Sequence, residues 1–183
     1  MEEECGNQNK SKKILHEGLK FSTLNENLFI KAIKVEEKLG NYQNVRDLLE
    51  TLKDVPLERS WRMILEGALF EGRVGNKESA RKTFRLLITK CQTYGPIFFE
   101  ASRYEEREGQ LEEAVKLCEE GLDVNPKYGP LWFQYLRLYE KVPKKMRLER
   151  FDSLQTILND MFQNVPRELD WKIYIEAAQT YER

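Results

Sequence analysis

A chain of 183 residues with 30 basic and 31 acidic side chains has a formal net charge of −1, so no global field draws it onto a polyanion, and any nucleic-acid contact needs a local patch. No apolar run approaches the roughly 18 residues of a membrane helix, and no secretory signal opens the sequence. Cys5, Cys91 and Cys118 are an odd number without metal-ligand spacing, which fits a reduced, intracellular setting rather than a disulfide framework.

Residues 1–11, MEEECGNQNKS, show no periodicity and read as a disordered tail, leaving residues 12–183 for one repeat array. Ile14–Leu19, ILHEGL, resembles KLCEEGL at Lys116–Leu122, so it reads as a second helix whose first helix is missing. The strongest signal then follows. Gly40, Gly75 and Gly109 lie in the similar stretches VEEKLGNYQNVRDLL, LFEGRVGNKESARKTF and RYEEREGQLEEAVKL, at spacings of 35 and 34 residues. Self-similarity at that period predicts stacked helix pairs, each an A helix, a glycine turn and a B helix.

The third repeat is the best preserved. Gly95-Pro96 opens its A helix, IFFEASRYEERE; Gly109-Gln110 makes the turn; LEEAVKLCEEGLDV is the B helix and Asn125-Pro126 ends it. The Tyr-Gly-Pro punctuation at Tyr94–Pro96 recurs at Tyr128–Pro130. Stepping back by the period aligns Ala32, Gly67 and Ala101 on A helices, and Val45, Ala80 and Ala114 on B helices. A mid-helix Gly67 is not asked for by propensity, but close approach of a neighbouring helix asks for it. The fourth repeat runs 42 residues from Gly129 to Trp171, where 34 are expected, and the surplus falls around KVPKKMRLERF. Insertions in such arrays map to loops. Lys144, Lys145, Arg147 and Arg150 therefore form a candidate basic insertion, either a solvated loop or a contact for phosphate or an acidic partner. The last stretch, IYIEAAQTYER from Ile173 to Arg183, reads as an A helix without its B helix. The expectation is about four and a half pairs, cut at both ends, with Ile173, Ile175 and Ala177 open to weak self-association.

The Glu near the end of each A helix (Glu36, Glu71, Glu105), the A-helix aromatics and Ala80-Arg81 on a B helix make the chain resemble the HAT, or half-a-tetratricopeptide, repeat family over roughly Ile14 to Arg183. Ordinary tetratricopeptide repeats (TPR) share Ala114, Gly121 and Pro126; the acidic Glu71 and Glu105, where those repeats carry Tyr, favour HAT. The resemblance implies an all-α, right-handed superhelix of antiparallel helix pairs whose A helices line the inside. It also implies a nuclear role in RNA processing (splicing, 3′-end formation or rRNA maturation), chiefly by holding other proteins. Direct RNA binding and a general TPR-type adaptor are the alternatives.

Nothing in the sequence asks for catalysis, a cofactor or a metal. The single histidine, His16, reads as a surface or interface residue, and Glu36-Glu37 and Glu105-Glu106 are neighbours pointing about 100° apart, read as solubility and packing residues. The candidate binding surface is the concave groove. Ile30, Leu65, Phe99, Phe133 and Ile175 form one row at the repeat period; Lys34, Leu69, Arg103, Arg137 and Gln179 form another. Lys34, Arg103 and Arg137, with Phe99 and Phe133 beside them, are the expected contacts for an acidic or phosphorylated protein segment, leaving RNA binding weak or indirect.

Overall fold

The computed structural model describes residues 2–22 and 24–182, with the side chains of residues 2–6 left aside; Met1 and Arg183, the outer ends of the expected tail and of the last A helix, lie outside the described residues. Among the described residues there are eleven α-helices and no strand. In chain order they are α1 (Glu2–Phe21), α2 (Glu26–Lys38), α3 (Tyr42–Glu50), α4 (Leu57–Arg73), α5 (Lys77–Lys90), α6 (Gly95–Arg107), α7 (Leu111–Val124), α8 (Gly129–Lys141), α9 (Lys144–Arg150), α10 (Leu154–Asn164) and α11 (Asp170–Glu182). A 3₁₀ turn, Arg167–Leu169, leads into α11. The chain divides into two compact units, Met1–Cys91 and Gln92–Arg183. The first holds α1 and the pairs α2–α3 and α4–α5; the second holds α6–α7, α8–α10 and α11.

Each repeat glycine turns its chain in the same way. Gly40, Gly75 and Gly109 have φ of 74°, 90° and 77°, the left-handed region that a Cβ disfavours. Each closes a Schellman motif. The amide of Gly40 donates to the Glu37 carbonyl (3.0 Å) and that of Asn41 to the Glu36 carbonyl (2.9 Å); Gly75 and Asn76, then Gly109 and Gln110, repeat both bonds. The same bonds satisfy carbonyls that every A helix would otherwise leave open.

The small residues sit where A and B helices touch. A Cβ on Gly67 would stand 2.7 Å from the Leu49 Cδ2 atom, and one on Gly121 would stand 2.6 Å from Leu131 and 2.7 Å from Phe98. Ala32, Val45, Ala80, Ala101 and Ala114 are buried as well. Around them Phe29, Ile33, Met63 and Phe70 fill the core of the first unit, and Ile97, Phe98, Leu131 and Leu136 that of the second. Cys118, on this core face, has its Sγ 3.1 Å from the Ser102 hydroxyl.

The sequence-based expectation fails in three places. Residues 2–11, expected to form a tail, continue α1 from Glu2. The helix is anchored earlier than its apolar pattern shows, because Lys12 and His16 bond to Glu36 on α2. The insertion is no open loop: α9 occupies it, and Phe151 behind α9 is buried with its ring 4.8 Å from Tyr135 and 5.5 Å from Tyr139. Ile173 is fully buried rather than open, although Trp171, Tyr174, Ile175 and Tyr181 leave an apolar stripe of α11 exposed. Of the residues expected on the open face, Ile175 is exposed, Ala177 is half-buried and Ile173 is enclosed.

Candidate functional site

Two of the carboxylates that mark the A helices, Glu36 and Glu71, are structural. Glu36 is buried and accepts hydrogen bonds from Asn41 Nδ2 (2.8 Å) and Asn44 Nδ2 (3.2 Å) after the turn and from Lys12 Nζ (3.1 Å) on α1; His16 Nε2 lies 2.7 Å away on the same helix. Glu71 is held alike: Asn76 reaches it from the turn, and Arg46 on α3 grips it through Nε (2.8 Å) and Nη2 (3.2 Å). Burial alone would raise both carboxyl pKa values, but the donors outweigh it and hold both below the usual carboxylate range. Glu36 and Glu71 each tie an A helix to the preceding B helix and to its own turn. They are locks between repeats, buried packing residues rather than solubility ones.

The face of the A helices turned away from their B helices is where charge meets solvent. In the first unit, the Arg73 fork binds Glu37 through Nε (2.7 Å) and Nη2 (2.8 Å) and adds Glu66 at 2.8 Å. These bonds push the Arg73 pKa up. Lys34, half exposed, lies 3.6 Å from Glu66. In the second unit, Glu106 on α6 accepts from Gln134 (2.7 Å) and Lys141 of α8. Burial would raise its pKa, yet these donors and the charges of Lys141 and Arg137 hold it low. Both units thus join successive A helices by a carboxylate paired with a base about one repeat later.

Lys34 lies on this face in the first unit; Arg103 and Arg137 lie on it in the second. Arg103 packs 5.4 Å above the Phe99 ring and 3.9 Å from Glu100, and Arg137 is exposed. Phe99 is half-buried, whereas Phe133 is buried beneath the Lys172 ammonium, 4.2 Å from its ring centre. In the insertion, Arg147 donates to the Glu140 carbonyl (2.9 Å) over the Tyr139 ring, and Arg150 pairs with Glu119 (2.9 Å). Lys144 stays in solvent and Lys145 is 4.0 Å from Glu149. Sequence reasoning missed Lys31, Lys38, Tyr42 and Arg73, which line a cavity of about 510 Å³ with Lys34 and Glu37. The FIKAIKVEEK spacing carried that signal.

Among the described residues, no three of His, Cys, Asp and Glu stand together to hold a metal, and no helix is long and apolar enough to cross a membrane. Burial pushes the Cys118 thiol up to about 12, which leaves it protonated and inert.

Two solved structures of MamA superpose on the chain. One has a TM-score of 0.55 at 15% identity, covering 88% of this chain and 86% of that one. The other has a TM-score of 0.52 at 14% identity, covering 98% and 92%. The fold is that of TPR-like helical solenoids, all-α and built from antiparallel helix pairs, a scaffold class for protein interactions. The PRP6 TPR-like domain matches residues 1–183, and the chain belongs to that family, which accords with the HAT resemblance of its repeats. A TPR-containing protein of Dictyostelium discoideum is 45% identical over all 183 residues, and the chain spans 14% of that relative's length.

Proposed function

We propose that this chain is a non-enzymatic scaffold segment of a nuclear pre-mRNA splicing assembly, holding protein partners on the exposed faces of its A helices. The observation that carries this reading is the PRP6-family match over the whole chain. The charge distribution supports protein over RNA as the direct partner. The net charge is −1, and Arg73, Arg103, Lys141 and Arg150 all have carboxylates beside them, so few phosphates could be neutralised in a row. Lys34, Arg103, Arg137 and Phe99 are the contact residues; Phe133 acts beneath Lys172, and the insertion contributes Lys144 and Lys145 more than the engaged Arg147 and Arg150. Tagged protein purified from nuclear extract should retain spliceosomal proteins after nuclease treatment. Loss of every partner with nuclease would put direct RNA binding in place of the scaffold.

The same reading includes self-association. Trp171, Tyr174, Ile175 and Tyr181 expose 62%, 66%, 48% and 64% of their surfaces along α11, while Ile14 and Phe21 on α1 expose 71% and 90%. Tyr174 and Ala178 stand at the repeat positions of Phe98 and Ser102, which α7 covers through Gly121 and Ala114. The stripe is therefore a surface shaped for a B helix, and a second copy can supply one through α1. Sedimentation over a wide concentration range is expected to show mass rising with concentration, and Trp171→Glu with Tyr174→Glu to hold the protein monomeric. A monomeric wild type throughout would contradict it.

A further inference from the structure

We propose that the first unit carries a phosphoryl-binding pocket, formed by Lys31, Lys34 and Lys38 of α2 and Arg73 of α4, that takes a phosphorylated side chain of a protein partner. It rests on the scaffold reading above and specifies its chemistry. Lys31, Lys34 and Lys38 are spaced i, i+3 and i+7, which puts them within about 60° of arc on one helix face. They open into the cavity of about 510 Å³ that Arg73, Glu37 and Tyr42 complete.

The charges there do not cancel. Arg73 is spent on Glu37 and Glu66, and Lys34 shares Glu66 at 3.6 Å. Among the described residues, Lys31 and Lys38 have no carboxylate within ion-pair distance, so two full positive charges face the cavity unanswered. At the repeat-equivalent place in the second unit, Glu100 stands where Lys31 does, Arg103 lies beside it, and Glu106 absorbs Lys141. The first pocket differs from it by a lysine in place of a glutamate, while Arg107, at the place of Lys38, donates to the Arg103 carbonyl (3.2 Å). A surplus of about two charges in a single pocket matches a phosphoryl group, which carries −1.5 to −2 at pH 7. Tyr42, with its ring 5.8 Å from that of buried Phe70, gives the rim a fixed wall with a hydroxyl. Lysines supply mobile point charges rather than the flat fork of arginine, which suits a tetrahedral oxyanion arriving on a flexible segment.

The test uses the whole chain with three probes in isothermal titration: a short phosphoserine peptide with acidic neighbours, its unphosphorylated twin, and oligouridylate. The phosphopeptide is expected to bind at least about tenfold more tightly than its twin, the equivalent of one charge-assisted bond. Lys31→Gln with Lys38→Gln should abolish that preference without shifting the melting curve, while Lys90→Gln on the B helix α5 leaves it intact. Equal binding of both peptides, unchanged preference in the double variant, or tighter binding of oligouridylate each overturns the pocket. If the double variant loses the phosphopeptide but keeps nuclease-resistant partners, the pocket stands and those partners dock elsewhere on the scaffold. If nuclease strips the wild type of all partners while the phosphopeptide still binds, the scaffold reading alone fails.

Discussion

Gly121→Val is expected to lower the stability of the second unit by about 3 kcal/mol, at the upper end of overpacking costs. Its first new atom would stand 2.6 Å from Leu131, 2.7 Å from the Phe98 Cβ and 2.8 Å from the Phe98 Cγ. The Leu131 methyl is the end of a flexible side chain and can turn. Phe98 is enclosed, 2% exposed, and its Cβ moves only with α6 itself. Gly109→Ala is the control. Nothing lies within 4 Å of its added atom, so its cost is the left-handed backbone alone, about 1–2 kcal/mol. Urea unfolding followed by circular dichroism should order the midpoints as wild type, Gly109→Ala, Gly121→Val. A Gly121→Val midpoint at the wild-type value would mean that α6 and α7 do not meet as described.

Glu36→Ala should cost about 3 kcal/mol, since removing one partner of a buried pair leaves the others unanswered. Lys12 and His16 are about one-third exposed and can regain some water, which keeps the loss at the low end of that range. Glu120→Ala, which removes an exposed pair with Lys116, should change stability by no more than about 0.5 kcal/mol. The same lock sets a pH dependence. Glu36, Glu71 and Glu106 are held below the ordinary carboxylate value, so their contribution is complete above the unfolded glutamate pKa of about 4.3. It is lost as the pH falls through their lower folded values. Glu119, pushed up by burial, opposes this modestly. Wild type should therefore lose more stability than Glu36→Gln between about pH 5 and pH 3, as one depressed group fewer titrates. Parallel losses in the two proteins would remove Glu36 from the lock.

Much of this was legible because repetition forces the same contact to be solved several times. Gly40, Gly75 and Gly109 gave the turns, and Ala32, Gly67 and Ala101 gave the close approaches, since only a few residue types fit either place. The buried Glu was visible as a recurring letter but not as a lock. Its partners come from the preceding B helix, and they change from Lys12 and His16 to Arg46 between repeats. Where repetition lapsed, the reading lapsed too. The start of α1 has no apolar stripe, and the insertion that became α9 is pinned by Phe151 rather than by a repeat position. The basic row shows what spacing leaves open. Its members share the A-helix face within each unit, but Arg103 is matched by Glu100 while Lys31 and Lys38 face no carboxylate, and which charges cancel depends on contacts between helices that spacing does not reveal.

The most direct test of a scaffold that works through its A helices is lysine cross-linking, read by mass spectrometry, of the protein captured with its partners after nuclease treatment. The account predicts partner cross-links at Lys34 and Lys38 of α2 and Lys141 of α8, all exposed on A helices, with Lys82, Lys90 and Lys116 of the B helices left mostly unlinked. Partner cross-links confined to Lys82, Lys90 and Lys116 would contradict it.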